Sequence, residues 1–179
     1  MQKQLIVLLA LPSTDKQPAV ASLKQRFGKR AKVFLQSAPD LSLASPFAPM
    51  QAELKLLMDS TRQSVAIWSH SWIDINFDEI YLYNREIDAD GYAEFLSEFY
   101  DLVQSDKLKV TIVCVQQKQA TALPADYSEY FAEAENSRLC RLTEAYQSVS
   151  EAELDLMSAA LPQVTIVTVD SENLSSLAL

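Results

Sequence analysis

Leu5-Ile6-Val7-Leu8-Leu9-Ala10-Leu11-Pro12-Ser13-Thr14-Asp15-Lys16-Gln17-Pro18-Ala19 is the stretch on which the reading of this chain turns. It opens with an unbroken apolar run, Leu5 to Ala10, the pattern of a strand covered on both faces. Leu11 to Gln17 is a loop carrying a lysine. Ala19, Leu23 and Phe27 then recur at helical spacing up to Gly28, a stop signal. Strand, lysine-bearing loop and helix together form the layout with which a chain cradles phosphate. The glycines that aim backbone N–H groups at the ligand are missing. Against G-x-x-x-x-G-K-[ST], Ala10 stands at the first glycine and Asp15 at the second. Lys16 keeps the lysine, and Gln17 replaces the Mg²⁺-binding hydroxyl.

Outward from this stretch, β-branched runs alternate with helical patterns. Strands are predicted at Gln4–Ala10, Lys32–Gln36, Ser64–Trp68, Lys109–Val115 and Val164–Val169. Helices are predicted at Lys16–Phe27, Met50–Arg62, Ile73–Tyr83, from Asp88 through Val103, at Ala125–Gln147 and at Ser150–Leu161. Four of the five strand runs are almost continuously apolar. The pattern predicts a single domain spanning residues 1–179, a three-layer α/β/α fold on a five-stranded parallel sheet.

Composition narrows the function. Of 179 residues 49% are hydrophobic, enough for a full core. No apolar run approaches the roughly 18 residues that span a bilayer, and the N-terminus reads as a strand rather than a leader. A cytoplasmic location is the expectation. A net charge of −9 argues against nucleic acid and against an anionic membrane, since both recruit clustered cations. Cys114 lies in a strand pattern and reads as an inert buried thiol. The lone His70 has no neighbours at metal-ligand spacing, so no metal is expected.

The order of features resembles the deoxynucleoside kinase family of P-loop kinases over most of the chain. Val33-Phe34-Leu35-Gln36-Ser37 stands where the family has V-F-x-E-P. Ala44-Ser45-Pro46-Phe47, before a helix ending at Arg62, stands at its N-P-F segment. Ile67-Trp68-Ser69-His70-Ser71-Trp72 stands at the strand leading into E-R-S. The segment Arg85 to Phe95 is similar to the G-x-I-x-x-x-E-Y helix, Tyr130 to Tyr146 to the long helix after the lid, and Val167-Thr168-Val169-Asp170 to the last strand. The resemblance implies a P-loop kinase fold, ATP and Mg²⁺ as co-substrates of an active member, and a homodimer built from Met50–Met58 and Tyr92–Val103.

The same resemblance exposes four losses. Phosphoryl transfer needs a phosphate cradle, an acid for Mg²⁺, a base for the substrate hydroxyl, and cations on the transferred group. The cradle has lost its glycines; Ser13, Thr14 and Lys16 are the remaining phosphate-binding candidates. The base position is Gln36, whose amide accepts no proton near neutral pH. The Glu and Arg of E-R-S fall on Ser69 and His70. The lid stretch, Gln116 to Pro124, holds Lys118 and no arginine, while Arg138 and Arg141 fit a solvated helix face.

Losing all four together predicts a catalytically degenerate kinase-like protein, a pseudoenzyme that binds or interacts, with Lys16 as a remnant and no cofactor. Two alternatives stay open. One is an active small-molecule kinase with a rebuilt site, using Ser13, Thr14 and Lys16 for phosphate and Asp40 or Asp74 for metal or base. The other is an unrelated α/β ligand-binding protein. Trp68, Trp72, Phe77 and Tyr81 are pocket candidates, with core packing as the competing reading; a protein partner or small ligand is the expected company.

Overall fold

The computed structural model describes residues 3–10, 14–36, 52–56, 59, 64–70, 74, 89–104, 106, 108–116 and 151–170. Five strands form one sheet: β1 (Lys3–Ala10), β2 (Ala31–Gln36), β3 (Val65–His70), β4 (Leu108–Gln116) and β5 (Thr165–Asp170). Helices among the described residues include α1 (Gln17–Phe27), α2 (Ala89–Val103) and α3 (Glu151–Ala160). The strand order is β2-β3-β1-β4-β5, and every pairing is parallel. The α/β fold with a five-stranded parallel sheet flanked by helices is the one expected from the apolar runs.

Strand alternation divides the core into two layers. Ile6, Leu8 and Ala10 of β1, Val65 and Ile67 of β3, and Val113 and Val115 of β4 pack with Ala19, Val20 and Leu23 of α1. The intervening residues face the other way. Leu9 and Ile112 line a cavity together with Leu96 and Phe99 of α2 and Met157 of α3. The right-handed rule for parallel crossovers requires this arrangement: the β1-to-β2 connection runs one way along the sheet and the later ones run back. Every β1 residue from Leu5 to Ala10 is buried, which is why the run carries no polar alternation.

Local signals account for the ends of α1. Pro18 sits in its first turn, where the missing N–H costs nothing. Gly28 ends it at φ +53°, a conformation that a side chain resists, and its N–H donates to the Lys24 carbonyl. The second predicted helix is described at residues 52–56 and 59, all helical. Those predicted at Ile73–Tyr83 and Ala125–Gln147 lie outside the described residues, apart from Asp74. Among the described residues no helix is long and apolar enough to cross a membrane.

One boundary needs correcting. The sequence pattern ends the third strand at Trp68, whereas β3 continues through Ser69 and His70. The reason is lateral: Leu35 pairs with Ser69 and Gln36 with His70, so β2 extends the ladder past the last apolar residue. Polar side chains do not end a strand whose backbone still has a partner.

Candidate functional site at the carboxyl ends of β1 and β3

The connection from β1 leads toward β2 and the connection from β3 leads toward β4, so they leave neighbouring strands in opposite directions. In an open parallel sheet such a divergence leaves a crevice at the carboxyl ends of the two strands, the usual place for a ligand. Here Ala10 ends β1, Lys16 directly precedes α1, Ser69 and His70 end β3, and Asp74 follows shortly after.

The crevice contains a buried ion pair. Lys16 Nζ donates to both carboxylate oxygens of Asp74, at 2.8 and 2.9 Å. The side chains are 2% and 1% exposed. The Ala10 N–H donates to Asp74 Oδ1 at 3.2 Å. Burial pushes the Asp74 carboxyl up to about 6, against the opposing pull of the Lys16 charge, the Lys16 hydrogen bond and the Ala10 N–H. The lysine expected to be a remnant is therefore engaged, and its partner is a residue of this chain.

At the end of β3 two buried polar groups have no hydrogen-bond partner, Ser69 Oγ and His70 Nδ1; as consecutive strand residues they point to opposite faces of the sheet, His70 on the Trp68 face. Burial, helped by the Lys16 charge, lowers the His70 pKa to about 3, so the ring is neutral at physiological pH. A neutral imidazole gives no guanidinium-like clamp to phosphate. Its ring lies 6.0 Å from that of Trp68, centroid to centroid.

Asp15 is turned outward. It is exposed, and its carboxylate accepts the Gln17 N–H at 2.9 Å, closing the loop locally onto the helix start. That is a local side-chain turn at the helix start. Thr14 is half-buried in a bend, and Ser13 lies outside the described residues. Gln36 ends β2 in register with His70, which brings its backbone to the same sheet edge.

Trp68 is among the largest fully buried side chains. It stacks on Phe99 of α2 at 5.4 Å and donates its indole N–H to Glu53 at 3.3 Å. A buried ring with its polar end satisfied is a core residue. Trp72, Phe77, Tyr81, Asp40, the lid stretch 117–124, Arg138 and Arg141 lie outside the described residues. Cys114 is buried, and burial pushes its thiol up to about 12, the inert state expected of it. No cluster of three metal-ligating side chains occurs among the described residues.

The cavity between α2 and α3 measures about 260 Å³. It is apolar, floored by Leu9 and Ile112 and walled by Phe99, Tyr100, Leu156 and Met157. Tyr100 is 43% and Leu156 70% exposed, so its rim presents hydrophobic surface to solvent.

The chain matches no protein-family model and no curated protein.

Sequence reasoning placed Lys16 and Asp74 in one site only in the rebuilt-kinase alternative, as a phosphate ligand and a metal ligand or base, and did not foresee an ion pair between them. They lie 58 residues apart, with two strands between them. The only signal was an acid just past the third strand, in a segment with no distinctive spacing.

Proposed function

We propose that this chain is a catalytically degenerate, deoxynucleoside kinase-like domain that works as a binding or interaction module. The observation that carries the reading is the state of Lys16. Phosphate recognition needs a lysine whose ammonium is free to reach the β- and γ-oxygens. Lys16 Nζ instead spends two of its three hydrogens on Asp74, at 2% side-chain exposure. Support comes also from Gln36 at the place of the base, from Ser69 and neutral His70 at the place of Glu and Arg, and from an Asp15 that turns away from the crevice. Removing one charge-stabilising group commonly costs a factor on the order of 10² to 10³ in rate, so several losses leave no useful kinase.

The module's working surface in this reading is apolar. The α2–α3 groove with exposed Tyr100 and Leu156 suits a protein partner or a second copy, in keeping with the homodimer implied by the family resemblance. Sedimentation equilibrium reads the association state directly.

The test of the degenerate reading is titration of the native chain with ATP–Mg²⁺ while its Tm is followed. No saturable rise is expected. A saturable, Mg²⁺-dependent rise would sink the reading, because that linkage requires nucleotide bound to the folded state. The active-kinase alternative draws on one observation, the meeting of Lys16 with an acid. It predicts turnover of ATP with some nucleoside, and a broad substrate panel without product ends it.

A further inference from the structure

The Lys16–Asp74 pair has the shape of a ligand complex in which the ligand is part of the chain. Three hydrogen bonds from two donors, Lys16 Nζ and the Ala10 N–H, converge on one carboxylate. One donor is a cation and the other a backbone amide at the end of the central strand, the combination that holds a free oxyanion elsewhere in proteins. The carboxylate arrives from the far side of the crevice, beyond β3, and is almost completely shielded from water. Surface ion pairs form with little organisation behind them; this one has a backbone donor aligned on it and strand ends on either side.

We propose that Lys16 Nζ and the Ala10 N–H constitute an oxyanion site which the chain fills with its own Asp74, and that a small free oxyanion occupies it once that side chain is removed. The inference rests on the reading of Lys16 as the counterpart of a phosphate-binding lysine and adds why an external phosphate is turned away. A tethered carboxylate competes at high effective concentration and loses little freedom on docking. His70 Nδ1, buried, unpartnered and close enough to Lys16 to feel its charge, supplies hydrogen-bonding capacity that the carboxylate leaves unused. An oxyanion with more oxygens than a carboxylate draws on that capacity.

The experiment is chemical rescue. Asp74→Ala opens a space of carboxylate size next to two orphaned donors. Formate, acetate and inorganic phosphate are titrated separately against this variant, with chloride at matched ionic strength as the control, and Tm is read. The expected result is a saturable rise on the order of 5 °C above the chloride control. It should be absent in the wild-type chain and lost in Lys16→Met/Asp74→Ala. Rescue by formate and acetate alone identifies a carboxylate-sized site; rescue by phosphate as well shows that the site also accepts a larger oxyanion. If Asp74→Ala is unfolded by itself, the same anions are expected to restore its far-UV circular dichroism. Equal responses of the wild type, the single variant and the double variant overturn the proposal, as does failure of every anion to exceed chloride by either readout. The two failures are distinct: ATP binding to the wild-type chain overturns the degenerate reading, whereas absence of rescue in Asp74→Ala overturns this one alone.

Discussion

Breaking the Lys16–Asp74 pair from one side should be among the most damaging changes this chain can suffer outside its apolar core. Lys16→Met removes the ammonium and leaves Asp74, with its side chain 1% exposed, holding only the Ala10 N–H. The carboxyl then either stays charged in an apolar setting or takes up a proton; removing one partner of a buried pair typically costs about 3–5 kcal/mol. Asp74→Leu strands the ammonium instead and should cost a comparable amount. For a chain of 179 residues that loss lowers Tm by roughly 6–20 °C. The double variant Lys16→Met/Asp74→Leu removes both charges together and leaves only the Ala10 N–H unsatisfied, a penalty of about 1–3 kcal/mol. The cycle should therefore be non-additive by at least about 3 kcal/mol, with the double variant more stable than the sum of the singles. Urea unfolding with linear extrapolation measures all four corners. If each single change costs less than about 1 kcal/mol and the two add, the pair behaves as a surface ion pair. The burial argument, and everything built on Lys16 being sequestered, would then be wrong.

Other outcomes follow from the same geometry. His70 is buried neutral with a pKa of about 3, against 6.5 when unfolded. Its contribution to stability is complete above about pH 6.5 and is lost as pH falls toward 3. Comparing the wild type with His70→Gln cancels the titration of other groups, so the stability difference should shift against the wild type below pH 6.5 by up to about 1.4 kcal/mol per pH unit. A flat difference refutes the buried neutral ring. Asp74 works with the opposite sign. Its folded pKa near 6 lies above the unfolded 3.8, so the folded state holds the extra proton and stability declines as pH rises from about 4 to 6. In His70→Gln that decline should be steeper than in His70→Gln/Asp74→Asn by urea unfolding. Trp68→Ala empties the contact with Phe99 and orphans Glu53, and should cost about 3–5 kcal/mol of unfolding free energy. Cys114 should resist a thiol reagent in the native chain and react promptly in denaturant; fast native labelling would contradict its burial.

The fold was legible because the apolar runs leave few options. Leu5 to Ala10 and Val110 to Val115 have no polar alternation, and only a strand covered on both faces buries such a run without conflict. With helical patterns between the runs, a parallel sheet follows. The order β2-β3-β1-β4-β5 was not readable from periodicity alone, because nothing in a buried apolar strand names its neighbour. The end of β3 was misplaced for a related reason. Ser69 and His70 look like loop residues by type, yet their backbones are paired by Leu35 and Gln36, residues more than thirty positions earlier. Pairing across that distance is a tertiary fact, and local chemistry does not encode it.

The site was legible in its parts and not in its logic. Sequence reasoning weighed Lys16 by what surrounds it locally: no glycine, an acidic neighbour, a proline next in line. On those grounds the lysine is idle. What the fold adds is that crossing back over β1 to reach β4 carries the segment after β3 past the end of β1, which delivers Asp74 to the ammonium and the Ala10 amide at once. A buried lysine without an anion is costly. A lysine at such a position must therefore be lost, exposed, or met by an anion. This chain retains Lys16 at 3% exposure and meets it with a carboxylate. The internal carboxylate is what lets the lysine stay buried.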